Sequence, residues 1–209
     1  SAGLMAQTLG LGTQAISDFT GSIKVSFKGL TEEQIQTRLA EELTKVSDSL
    51  AATALGTEAY TRSGETALQT LQRLSSSLST VNGSLDVLGH TLYAAGLSSA
   101  NMASDLVDLM GGLAQYQTTT AAYYEAFYTE AERNATATRQ LTASLSALGL
   151  SLPATREGFR DLVEAQDLST TAGRATYAAL MGLSGAFAAI APSAADLATQ
   201  MQTAQDAIT

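Results

Sequence analysis

One stretch, residues 71–92, constrains the fold of this chain more than any other. Apolar residues recur there at alternating spacings of three and four: Leu71, Leu74, Leu78, Val81, Leu85, Leu88 and Leu92. That spacing places the side chains in one seam along a helix, the pattern of helices that supercoil left-handedly around each other. The seam predicts a coiled-coil rod, which we place at residues 64–112. It weakens beyond Leu92 and resumes at Met102, Leu106, Leu109 and Leu113.

The composition favours associating helices over a large globular core. Aromatic residues make up 6% of the 209 residues, charged residues 15%, and tryptophan is absent. Small side chains bury little apolar area each, so a compact core would gain less per residue than usual. Alanine and leucine favour helix, whereas runs of β-branched residues are nearly absent. We therefore expect an all-α protein of extended helices, with a coiled-coil rod, a small helical hairpin and one short β-strand near the N-terminus.

The chain falls into seven predicted segments. In order, they are an apolar glycine-containing helix over 1–21, an extended strand over 22–29, an amphipathic helix over 30–56, the rod over 64–112, a helix with an aromatic belt over 113–149, a helical hairpin over 150–192 and a weak helical tail over 193–209. Thr31 and Gln34 have the spacing of a capping box at the start of the third segment.

Two segments are candidates for partner docking. Ile23, Val25 and Phe27 alternate with Ser and Lys, the period of a half-buried strand. A lone strand leaves its backbone groups unpaired, so this one either contacts a partner or is an extended linker. The second candidate is a cluster of aromatic residues on a predicted helix, suited to docking or subunit packing, or alternatively to an internal core. Its members are Tyr116, Tyr123, Tyr124, Phe127 and Tyr128.

The sequence offers little to an enzyme or to a nucleic-acid-binding protein. Its net charge of −9 repels phosphates, and its basic residues form no cluster. With no cysteine and a single histidine, His90, we identify no catalytic, cofactor-binding or metal-binding residues and predict a non-enzymatic protein. We expect no signal peptide, because the sequence does not open with a charged region followed by an apolar one. The alternative class is a membrane-active helical protein, a pore former or translocated effector, that inserts residues 2–20 and 178–191.

Several landmarks resemble the late region of tail tape-measure proteins from long-tailed bacteriophages. The longest is LPATREGFRDLVEAQDL at residues 152–168, continued by STTAGRATYAALM at residues 169–181. Shorter ones, in an order distinctive of that group, are GLTEE at 29–33, GET at 64–66, TLQRL at 70–74, the glycine pair at 111–112, and the aromatic stretch at 123–128 followed by Glu132 and Arg133. Together they cover about residues 21–192.

The resemblance implies a structural protein of the virion that lies in the tail lumen near the tip and sets tail length. It implies a homo-oligomer, often a trimer, that contacts tail-tube and tail-tip proteins. The same resemblance implies release during genome ejection and contact with the host membrane. The seam alone does not choose the number of strands, because leucine at most positions is compatible with two, three or four. No specific nucleic-acid partner and no cofactor are expected.

Overall fold

The structure, a computed structural model, describes residues 2–12, 14 and 31–206. In this part of the chain every regular element is a helix and no strand occurs. The all-α prediction is confirmed. The strand predicted at 22–29, with Ile23, Val25 and Phe27, lies outside the described residues. The chain divides into two compact units, Ser1–Ala126 and Phe127–Thr209.

The first unit contains five α-helices in the described residues. They are α1 (Ala2–Thr8), α2 (Glu32–Ser49), α3 (Ala67–Val87), α4 (Leu97–Leu109) and α5 (Leu113–Phe127, whose last residue the division assigns to the second unit). A π-helical turn, Leu50–Ala54, extends α2, and a 3₁₀ turn, Thr57–Tyr60, precedes α3. In the second unit the described helices are α6 (Glu130–Ala147), α7 (Arg156–Glu164), α8 (Thr171–Ile190) and α9 (Ala194–Asp206).

A threonine is the N-cap residue of most of these helices. Thr31, Thr66 and Thr129 each form a full capping box with a Gln or Glu three residues later, so two backbone N–H groups at each helix start are satisfied. Thr155 and Thr170 accept hydrogen bonds from the backbone N–H groups of Gly158 and Gly173. The capping box predicted at Thr31 and Gln34 is present, and local sequence therefore sets these helix starts.

Helix α3 is the centre of the first unit. It packs against α4, α1 and the 3₁₀ turn. The first four seam residues are buried in this core, together with small residues of α4 and the end of α1: Leu71, Leu74, Leu78, Val81, Ala100, Ala103, Val107, Ala6 and Leu9. Gly10 follows α1 with φ 64° and lies so close to the segment before α4 that a Cβ on it would be 2.8 Å from Ala95 Cβ.

The region predicted as a rod is a helical hairpin in this structure. Helix α3 ends at Val87, residues 88–96 form a link, and α4 packs back on α3. Leu92 lies in the link and is 49% exposed. Gly89 and Gly96 allow the reversal because their φ angles of 72° and 152° are in the region that favours glycine. Here the seam therefore packs within one chain.

The single helix predicted over 113–149 is two helices. Helix α5 ends at Phe127, and α6 begins at Glu130 after Thr129. The capping box of Thr129 and Glu132 satisfies the first N–H groups of α6 and makes a new helix start at this point. The helix predicted over 1–21 is interrupted: α1 stops at Thr8, Gln14 is helical again, and residues 13 and 15–21 lie outside the described part.

Helix α8 is the centre of the second unit, where α6 and α7 pack against it. Phe159 of α7 stacks on Phe187 of α8 with ring centroids 4.6 Å apart. Arg156 joins the start of α7 to the end of α8: its guanidinium donates to the carbonyl oxygens of Ala188 and Ala191, both at 2.8 Å. The predicted hairpin over 150–192 thus corresponds to α7 and α8, and α6 adds Leu141 and Leu145 to its core.

Candidate assembly interface

The seam changes from buried to exposed along its length. Leu71, Leu74, Leu78 and Val81 are at most 2% exposed, Leu85 is half-buried, and Leu92 is 49% exposed. Removing a leucine side chain from water contributes about 1.5–3 kcal/mol, so the front of the seam already has its stabilising partner inside the unit. The later seam residues Leu85 and Leu92 still expose apolar surface.

Helix α4 buries mainly small residues and leaves two of its large apolar residues exposed. Ala100, Ala103 and Val107 form the buried face with Ser104. Met102 is 48% exposed and Leu109 is 85% exposed. Helices usually turn their largest apolar side chains toward the core. The exposed stripe on α4 is thus the clearest surface in the first unit for a further apolar contact.

A cluster of polar side chains, which we call the latch, fastens α3 and the preceding loop to α4. The Arg73 guanidinium binds both carboxylate oxygens of Glu65, at 2.7 and 2.9 Å, and donates to Ser104 Oγ at 2.9 Å and to the Tyr60 carbonyl at 2.8 Å. Arg62 adds ion pairs of 2.6 Å to Asp108 and 3.3 Å to Asp105 on α4. Bidentate arginine–carboxylate pairs are among the stronger polar contacts in proteins.

The latch changes the acidity of Glu65. The side-chain hydrogen bonds from Arg73 lower the pKa of its carboxyl to about 2 from 4.5, and hydrogen bonds from the Arg62 backbone and the Thr70 hydroxyl act in the same direction. Partial burial opposes this shift. The Glu65 carboxylate is therefore ionised throughout the physiological pH range, and its pairing with Arg73 does not change within that range.

A second polar contact closes the other end of the hairpin. The side-chain amide of Asn82 donates to the carbonyl of Tyr93 at 2.9 Å and accepts from the Tyr93 backbone N–H at 2.8 Å. These two hydrogen bonds have the donor-and-acceptor pattern of paired residues in a β-sheet, and they hold the link against α3. The hairpin is held by hydrogen bonds at both ends, with apolar contacts between them.

The predicted aromatic cluster is divided by the structure. Tyr116 is buried in the core of the first unit, whereas Tyr123 and Phe127 are exposed and Tyr124 is half-buried. Tyr128 lies in the break between α5 and α6, where its carbonyl accepts a 2.6 Å hydrogen bond from Arg133. Tyr116 thus serves the internal core that the sequence left as an alternative. Docking through the other four stays a prediction.

The grooves on the described units include the following two. A groove of about 420 Å³ runs between α3 and α5, lined by uncharged residues such as Gly83, Val87, Ala121 and Tyr124. Another, of about 270 Å³, lies between α7 and α8 above the stacked Phe159 and Phe187. Arg156 and Arg160 border it, but Arg156 is engaged by carbonyl oxygens and Arg160 pairs with Glu164 at 3.4 Å. Neither groove has the converging polar groups of a small-molecule site.

By length and composition alone, one stretch in the described residues, within Thr171–Asp206, could cross a membrane. Little of it is buried in the structure. Apolar helices of soluble proteins share this length and composition. Among the described residues, no group of three or more His, Asp or Glu side chains is placed to hold a metal ion. His90 lies exposed in the link of the hairpin.

No family model, curated protein or solved structure matches the chain.

Sequence reasoning missed the latch and found only part of the helix boundaries. The pairing of Arg73 with Glu65, and of both arginines with α4, depends on how the hairpin folds and leaves no spacing signal in the sequence. The break before α6 did leave one: Thr129 followed by Glu132 is the same capping signature that identified the start of α2.

Proposed function

We propose that this chain is a segment of a phage tail tape-measure protein that lies in the tail lumen near the tip, contributes to tail length and leaves the tail during genome ejection. The observation that carries this proposal is the ordered set of landmarks over residues 21–192, above all the run at 152–181. Its role is structural and needs no catalytic step. The all-helical fold supports it, because a helix rises about 1.5 Å per residue and so converts chain length into a fixed distance.

The proposed partners are further copies of the chain, in a trimer, together with tail-tube and tail-tip proteins. Copies would meet through the seam. Tail proteins would dock at the Ile23–Val25–Phe27 segment and at the exposed aromatic residues Tyr123 and Phe127. An acidic surface suits a protein that must leave a narrow tube ahead of DNA, because it does not hold phosphates.

The direct test is to look for the segment in virions of the phage that encodes it. We expect mass spectrometry of purified particles to recover peptides from residues 31–206. Gold-labelled antibodies against α3 and α4 should not mark intact tails, since the tube hides the lumen. The same peptides should be depleted from tails after the genome has been ejected, since the protein leaves with it. A tail-fibre antibody serves as the control for access. Absence of the peptides from virions would overturn the proposal.

A second candidate is a membrane-active helical protein, and the apolar stretch within Thr171–Asp206 favours it. Its test is dye release from lipid vesicles by the purified chain. Vesicle leakage by a chain that is absent from virions would favour this candidate. A virion protein that also releases dye would fit a tape-measure protein acting at the host membrane.

A further inference from the structure

The apolar pattern of α3 continues in phase through the link and along α4. Counting on from Leu92 by three and four gives Ala95, Ser99, Met102, Leu106, Leu109 and Leu113. The two small positions fall at the link and the start of α4, and the large residues resume in the same register. A continuous helix through residues 67–109 would therefore carry one seam from end to end.

The hairpin accounts for only part of this register. In the hairpin the buried apolar residues of α4 are Ala100, Ala103 and Val107, which are not seam positions. Of the continued seam, Leu106 and Leu113 are partly buried against the same core. The seam positions Met102 and Leu109 are instead 48% and 85% exposed. If α4 served only the hairpin, its exposed side would not need a methionine and a leucine that continue the seam spacing of α3.

Nothing covalent or electrostatic bars a continuous helix. The link, residues 88–96, contains two glycines but no proline, the residue that would break a helix interior. The polar contacts that close the hairpin are exchangeable hydrogen bonds and ion pairs: Asn82 with Tyr93 at one end, and the latch at the other. Water can replace each of these polar contacts, and the apolar contacts between α3 and α4 can be exchanged for contacts with the seams of other copies.

The stretch is suited to pairing with copies of itself. Although the chain carries a net charge of −9, residues 67–109 contain only Arg73, Asp86, Asp105 and Asp108 as charged residues. None of the four occupies a seam position, and Arg73, Asp86 and Asp108 lie on the outer side of a helix numbered by this register. Identical helices in parallel therefore bring few like charges together.

We propose that α3 and α4 form a two-state element: a closed hairpin in the free chain and one continuous helix in the assembled one. In the open state the seam exchanges its partners within the chain for the seams of other copies, which cover Leu92, Met102 and Leu109. Residues 67–109 would then span about 65 Å at 1.5 Å per residue. The inference rests on the assembly part of the proposed function and adds the conformational change by which assembly proceeds.

The test measures one distance inside the full chain. Spin labels on Gln72→Cys and Asn101→Cys avoid the seam and the buried face. In the hairpin these positions are close, because the neighbouring Arg73 and Ser104 are in contact at 2.9 Å. In a continuous helix the 29-residue separation gives about 44 Å. Labelled chains diluted into excess unlabelled chains report the distance within one copy, and light scattering reports the mass.

Matched variants move the equilibrium in opposite directions. Gly89→Ala with Gly96→Ala strains the positive φ angles of the link and favours helix, so it should raise the fraction of oligomer and of the long distance at least tenfold. Ala94→Pro blocks a helix through the link, so it should leave a monomer with the short distance. Leu109→Gln, exposed in the hairpin, should also abolish the oligomer without changing the melt of the monomer.

The outcomes separate this inference from the proposed function. Oligomers of the unmodified chain with a distance near 44 Å support the two-state element. Oligomers that keep the short distance overturn it and leave seam-mediated assembly standing. If the chain stays a monomer at every concentration, even with both glycines replaced, the inference is overturned, and so is self-association through the seam. The location in the virion is tested separately, by mass spectrometry of purified particles. If Ala94→Pro fails to fold, Leu109→Gln provides the same comparison.

Discussion

At the scale of single residues, Arg73 is the polar side chain on which the first unit most depends. It joins Glu65, Ser104 and the Tyr60 carbonyl, and it is only 16% exposed in its side chain. Removing one partner of such a group leaves the others without their hydrogen bonds, which costs more than the contact itself contributes. The latch thus has consequences for stability that can be measured as a function of pH.

We predict that acid weakens the first unit through Glu65. Its folded pKa of about 2 lies below the ordinary 4.5, so its contribution is complete above pH 4.5 and is lost as the pH falls through 2. Because the pair is partly exposed, the loss should be about 1–2 kcal/mol rather than the full value of the shift. Urea unfolding at pH 7 and pH 3 measures it. Glu65→Gln should be less stable at pH 7 and show a smaller change with pH; an unchanged pH dependence would contradict the role of the latch.

Two leucines of the same apolar register should behave differently in the free chain. Leu78 is 2% exposed and Leu109 is 85% exposed. We expect Leu78→Ala to lower the free energy of unfolding by about 2–5 kcal/mol, because it opens a cavity in the core. Leu109→Ala should change it by less than about 0.5 kcal/mol. Denaturant titration at low protein concentration makes the comparison. Equal losses at both positions would mean that α4 does not pack as described.

At the scale of elements, turn geometry decides which helices can approach. Helix α8 contains three glycines, Gly173, Gly182 and Gly185. In the structure only the first of these three needs glycine: a Cβ on Gly173 would overlap the Asp167 carbonyl oxygen and lie 2.9 Å from Thr170 Oγ1. Nothing lies within 4 Å of a Cβ on Gly182 or Gly185.

This contrast gives a matched pair of substitutions in one helix. Gly173→Ala should destabilise the second unit by about 1–3 kcal/mol, because the turn between α7 and α8 must shift to remove the overlap. Gly182→Ala should stabilise it by about 0.5–1 kcal/mol, the difference in helix propensity. Thermal melts followed by circular dichroism read both effects. A stabilising Gly173→Ala would show that the turn is built differently.

At the scale of the whole molecule, the net charge indicates which ligands the chain does not bind. With 20 acidic and 11 basic residues, and three of the arginines engaged in the latch and at the end of α8, the surface has little to offer a phosphate backbone. We predict no binding of duplex DNA at physiological salt, because nucleic-acid affinity depends on clustered Lys and Arg. Fluorescence anisotropy with a labelled duplex checks this, and a basic DNA-binding protein is the control. Measurable affinity would contradict a protein that slides ahead of DNA.

The sequence by itself determined the helical class and many helix starts, because these depend on interactions within a few residues. Alanine and leucine favour helix throughout, and threonine caps such as Thr31 act over three residues. The seam from Leu71 to Leu92 was equally visible, since periodicity is a local property. It predicted that α3 needs apolar partners along one face.

Only the tertiary structure decided which helices supply the apolar partners of the α3 seam. A seam is satisfied equally by another chain or by α1 and α4 of the same one, and the choice depends on how Gly89 and Gly96 turn the chain and how the latch holds it. The contacts of the latch with α4 join residues 31 to 46 positions apart, such as Arg73 with Ser104 and Arg62 with Asp108. Contacts at that separation form only when the chain reverses, and no local spacing encodes them.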